Sequence, residues 1–192
     1  MDDWLTLRDR PPPPQNRRLI PMSAVMNLTM YSASVPVFLR ALQILDTLLD
    51  EAEAHERAAG LAPDSLVEAR LADDMLPLSG QVQRASDASK LAAVRLTGIE
   101  APRFEDVETT FAQLHERIAK TIAFLQSIDA HAMDEADEHE VVVRAGKTEK
   151  TFRGHDYLLA FAIPNFFFHV TTAYAILRHE GVKIGKLDYL GG

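Results

Sequence analysis

His169 and Asn165 lie four residues apart in a stretch, Tyr157 to Leu177, that holds no Asp, Glu, Lys or Arg. On a helix that spacing puts the imidazole and the carboxamide on one face, with Tyr157, Phe161 and Thr172 along or beside it. Two readings follow. Either these groups form a polar spot in an apolar cavity that binds a small molecule or an unorthodox metal together with Gln83 and Asp87, or His169 is a core histidine hydrogen-bonded to a neighbour, as buried polar groups must be. Asp87 has a local alternative too, because Lys90 three residues on and Gln83 four residues back would pair it in place.

The other histidines offer less. His115 follows Phe111 by four and precedes Ile118 by three, at the edge of a core stripe, while His131, His139, His155 and His179 fall near element ends. Several chemistries lack their parts: there is no G-x-S-x-G, no glycine-rich phosphate loop with its lysine and no H-E-x-x-H. The acids of HAMDEADEHE (131–140) have no EF-hand spacing and read as a solvated loop. The absence of cysteine removes disulfides, thiolate metal sites and a thiol nucleophile together, and suits the reducing cytoplasm.

Four helical patterns must position these residues. From Ser34, with Pro36 in the first turn, Val35, Phe38, Leu42, Leu45 and Leu49 recur at three- and four-residue steps toward a stop near Gly60. Pro63 to Leu71 suggests a short helix. A second long helix, about Pro77 to Gly98, has an inward stripe rich in small residues (Ser86, Ser89, Ala93), which either draws backbones together or leaves a pocket. A third, about Glu105 to Ile128, carries Phe111, Leu114, Ile118, Ile122 and Leu125, with acids at its start that suit the helix dipole. His139–Ala145 and Thr148–Arg153 flank Gly146-Lys147, the pattern of a β-hairpin with a type II′ turn. The stretch Gly154 to Gly181 follows as the last long helix, and Lys183 to Gly192 reads as a tail.

The expected class is therefore all-α, a four-helix bundle with one hairpin inserted before the last long helix. Residues 1–25, with four consecutive prolines and no apolar period, read as a disordered arm without a secretory signal, and Met22, Met26 and Met30 are candidate alternative starts. The remaining 26–192 read as a single domain. The chain has formal charge -8, and residues 1–25 contribute Arg8, Arg10, Arg17 and Arg18 against only Asp2, Asp3 and Asp9, so the acidity lies in the body. An acidic body disfavours nucleic acid, where affinity comes from Lys and Arg neutralising phosphates.

MYSASVPVFLRAL (30–42), MLPLSGQVQRASD (75–87), ETTFAQLHERIAKTIAFL (108–125) and PNFFFHVTTAYAILRHEGVKIGKLDYLG (164–191) resemble the DUF1993 family. That family is of unknown function and stands near the DinB/YfiT-like metalloenzymes; the likeness covers about Met26 to Gly192. It implies a DinB-like bundle. Such bundles typically hold a divalent transition metal with three histidines, one on the second long helix and an H-x-x-x-H pair on the last. Carried over by position, His169 matches the first of the pair, the second falls on Ala173, and the second-helix ligand falls near Gln83. With His169 the only matching ligand, no metal is expected, since Zn²⁺ and Ni²⁺ want three or more protein donors.

The resemblance thus implies a small-ligand-binding or stress-associated protein without catalysis, whose ligand-binding candidates are Gln83, Asp87, Tyr157, Asn165 and His169. The alternative is a degenerate metal-dependent transferase or hydrolase built on His169 with carboxamide and carboxylate partners. Twenty-one uncharged residues also match a bilayer span, but Pro164, Asn165, His169, Thr171 and Thr172 within it, and three amphipathic helices needing a partner, favour a core helix and no membrane. Its surplus apolar surface predicts a homodimer packed partly through this helix.

Overall fold

The computed structural model describes residues 28–145 and 148–191; the expected arm at residues 1–25 and the Gly146-Lys147 turn lie outside them. Four long helices carry the fold: α1 Val35–Ala59, α2 Leu78–Thr97, α3 Phe111–Gln126 and α4 Gly154–His179. α1 packs on α3, α3 on α2, α2 on α4, and α4 returns to α1, so the four apolar stripes close around one core. Phe38 of α1 and Phe166 of α4 meet edge to face at 4.8 Å near the middle of that core.

The helix ends have local causes. Gly60 and Gly98 stop α1 and α2 in the left-handed conformation that glycine adopts without penalty. Ser34 does not cap α1 through its side chain; its hydroxyl donates back to the Met30 carbonyl at 2.6 Å. α3 begins six residues later than its acids suggest. Thr110 and Gln113 form a reciprocal capping box, and Asp64 accepts from the Phe111 amide at 2.7 Å. Asp64 is itself fixed by the buried Glu56 carboxylate, which accepts from the amides of Asp64 and Leu66. The segment from Pro63 to Leu71 holds only a 3₁₀ turn, Ser65–Glu68.

The small residues of α2 draw helices together on its α3 side, where the Ser86 and Thr121 hydroxyls share a fully buried 2.7 Å hydrogen bond. After α3 come the antiparallel strands β1 Glu140–Ala145 and β2 Thr148–Arg153. Val141 and Val143 turn inward, and Phe152 packs on Tyr157 and Phe161 of α4. The expected C-terminal tail contains a further short helix, α5 Lys186–Leu190, against α1.

α4 is not a plain α-helix. Leu158–Ala162 form a π turn, in which the Ile163 amide bonds the Leu158 carbonyl five residues back, just ahead of Pro164. A proline has no N–H for the ladder, and the wider turn is how the helix takes it. By length and composition alone α4 could cross a membrane, but Tyr157, Phe166, Val170, Ala173, Ile176 and Leu177 on it are buried in the bundle.

Candidate functional site

Between α2 and α4, beneath β1, lies a cavity of about 340 Å³. α2 contributes Arg84, Asp87, Ala88, Leu91 and Arg95, residues that recur at three- and four-residue steps and so share one face. α4 contributes Tyr157, Phe161, Ala162, Asn165 and His169, and the hairpin closes the outer side with Val143 and Arg144. Four of the five residues singled out from sequence, Asp87, Tyr157, Asn165 and His169, thus line one cavity. Gln83 does not. It points toward the loop between α2 and α3, where its amide nitrogen donates to Glu108 at 2.9 Å.

The α2 residue that meets His169 is Gln81, two positions earlier, and a two-residue step on a helix turns a side chain to a different face. Gln81 is buried, and its amide nitrogen donates to the Leu76 carbonyl at 3.0 Å. Its oxygen therefore faces His169, and the imidazole Nδ1–H donates to it at 2.8 Å. That assigns the tautomer: Nε2 carries a lone pair and has no hydrogen-bond partner among the described residues. Burial, and secondarily the positive charge of Arg84, hold the His169 pKa below its ordinary 6.5, so the ring is neutral at pH 7.

At the other end Arg95 donates to the Tyr157 hydroxyl at 3.0 Å and lies over its ring at 5.5 Å. Burial pushes the Tyr157 phenol above its ordinary 10.0, opposed in part by Arg95, so the hydroxyl stays protonated. Asp87 is already committed. It accepts from Arg117 at 3.0 Å and lies 3.4 Å from Lys90 and 3.6 Å from Arg84. Arg117, buried in the bundle, also binds Glu108 at 2.9 Å and Asp106 at 3.0 Å, and Arg84 pairs with Asp106 as well. These contacts hold the α2–α3 loop against the helices, with Phe104 lying under Lys90 and Arg117.

The donor set at His169 does not fit a three-histidine metal. Ala173, one turn on, is buried and has no donor atom, and the Gln81 oxygen is taken by Nδ1. The cavity instead offers a neutral imidazole lone pair, a phenol, a carboxamide and a guanidinium around an apolar floor. Arg84, Arg95 and Gln81 were not singled out from sequence. Arginines on a helix read as solvated surface, although Arg84 and Arg95 stand eleven residues, about three turns, apart on the face of Asp87.

The family model described as "Domain of unknown function (DUF1993)" matches residues 30–190. Among solved structures, the crystal structure of a DinB family member protein from Shewanella denitrificans is similar, with 38% sequence identity and a TM-score of 0.80, over 84% of this chain and 92% of that one. No curated protein matches.

Proposed function

For a chain that belongs to the DUF1993 family and folds as a DinB-like bundle, we propose a cytoplasmic, non-catalytic role in binding a small organic molecule in the cavity between α2 and α4. The observation that carries this reading is the convergence of Asp87, Tyr157, Asn165 and His169 on one cavity whose imidazole is neutral, with its Nε2 unpaired among the described residues. An apolar concavity with a few convergent polar groups is the usual form of a small-molecule site. Asp87, the natural general base, is tied to three cations, and the remaining groups recognise better than they transform.

Metal analysis of protein purified without a histidine tag tests the reading against the metalloenzyme alternative. Less than about a tenth of an equivalent of any transition metal is expected, with melting unchanged by Zn²⁺ or Ni²⁺, because a true site must stabilise the fold on binding. Near-stoichiometric metal with raised melting overturns it.

The partner in this reading is a second copy of the chain. Leu159 and Phe168 stand exposed on α4, and the half-buried Phe167 lines an apolar pocket that continues onto Tyr189 and Leu190 of α5. A twofold interface through α4 and α5 would cover apolar surface of this kind with the same surface of a partner.

A further inference from the structure

The two ends of the cavity differ in charge. Three guanidiniums line it, and two are neutralised: Arg84 by Asp87 and Asp106, Arg144 by Glu149 at 2.6 Å. Arg95 has no carboxylate partner among the described residues; it is held by the Tyr157 hydroxyl alone. The Tyr157 oxygen accepts from Arg95, so its own hydrogen is left to donate to a third group. A guanidinium and a phenol aimed at one point make a clamp for a carboxylate, whose planar oxygens accept from both.

The middle of the cavity is apolar, with Ala88, Leu91, Val143, Phe161 and Ala162. Arg95 lies by Tyr157 and Gln81 by His169, so α2 and α4 run antiparallel and the cavity is elongated. Eleven residues from Arg84 to Arg95, at about 1.5 Å each, give it a length of about 16 Å. The far end presents an acceptor, the His169 Nε2 lone pair. We propose that the cavity takes an elongated monocarboxylate, with its carboxylate on Arg95 and Tyr157, an apolar chain along Leu91, Phe161 and Ala162, and a hydrogen-bond donor at the distal end on His169. A dianionic phosphate suits the clamp less well, because one unpaired cation would meet two charges. The assignment rests on the ligand-cavity reading above and names its ligand class.

Isothermal titration with decanoate, decanamide and 10-hydroxydecanoate tests it. Decanoate is expected to bind about tenfold or more tighter than the neutral decanamide, the size of a charge-assisted hydrogen bond. Arg95→Gln should erase that preference, and Tyr157→Phe, which keeps the ring, should reduce it if the arginine variant proves unstable. 10-Hydroxydecanoate should bind more tightly than decanoate in the parent protein and no better in His169→Phe. Equal affinity for decanoate and decanamide overturns the carboxylate assignment and leaves the ligand cavity standing. Inorganic phosphate displacing decanoate more effectively than acetate also overturns it. Failure of all three probes to bind a protein that melts cooperatively and holds no metal overturns the assignment, whereas stoichiometric metal removes the underlying reading as well.

Discussion

Arg117 of α3 donates to Asp87 of α2 at 3.0 Å from a side chain that is 1% exposed, and this contact decides what the cavity can do. Asp87 lines the cavity, yet its charge is spent on the bundle. The one carboxylate on the α2 wall therefore serves the fold, and the proposed ligand contacts fall to Arg95, Tyr157 and His169.

Replacing Arg117 by Met should be among the most damaging single changes. It leaves Asp87, Asp106 and Glu108 partly buried without their shared cation, and removing one partner of a buried ion pair costs about 3–5 kcal/mol. The urea midpoint should fall accordingly. Arg117→Lys should recover only part, since an ammonium cannot hold three carboxylates in the guanidinium's fork.

Stability should rise with pH through two separate windows. Burial alone would raise the Glu108 pKa, but hydrogen bonds from Arg117 and Gln83 outweigh it and hold the carboxyl below its ordinary 4.5; its contribution is present above pH 4.5 and lost as pH falls through the lower folded value. His169 is held below 6.5 by burial and by Arg84, so the fold favours the neutral ring, and stability declines as pH drops below 6.5 because the unfolded chain takes the proton first. Urea midpoints from about pH 2 to 8 should show both slopes. His169→Phe should flatten the upper one and Glu108→Gln the lower.

Gly154→Ala should loosen the junction between hairpin and α4. A Cβ there would stand 1.7 Å from the Ala136 carbonyl oxygen, which is backbone and cannot swing away. Forced overpacking of this kind costs about 1–3 kcal/mol. Amide exchange in β1, β2 and the first turn of α4 should accelerate more than exchange in α1.

Phe168→Asp, and separately Leu159→Asp, should convert a dimer to a monomer in size-exclusion with light scattering, at unchanged helicity, because both side chains are exposed on α4. A parent protein that elutes as a clean monomer sinks the dimer.

The bundle was legible because burying a stripe is what makes a helix worth forming, and the stripes of α1, α3 and α4 are written in Leu, Ile and Phe at helical steps. What escaped was set by partners distant in sequence. Glu105 to Thr109 read as the first turn of α3, but Asp106 and Glu108 are drawn off by Arg84 and Arg117, and the capping box at Thr110 starts the helix. The α5 segment is too short to show a period. At the site, His169 and Asn165 could be found because polar groups are conspicuous in an uncharged run. Arg95 could not, because an arginine on a helix looks the same from sequence whether it faces water or a phenol, and Gln81 and Gln83 differ only in which way the helix has turned.

Twelve residues separate Tyr157 from His169, and on an unbroken α-helix, at about 100° per residue, they would sit about 120° apart. The π turn at Leu158–Ala162 absorbs one residue without advancing the ladder, so the pair stands as if eleven apart, about 20° from alignment. α4 thus carries a one-residue insertion folded into its own coil, and that insertion puts both ends of the cavity on one wall. Deleting Ala160 together with Pro164→Ala should give a shorter, regular helix that keeps the same reading frame of side chains, whereas deleting Ala175 would rotate Ile176 and Leu177 out of the core.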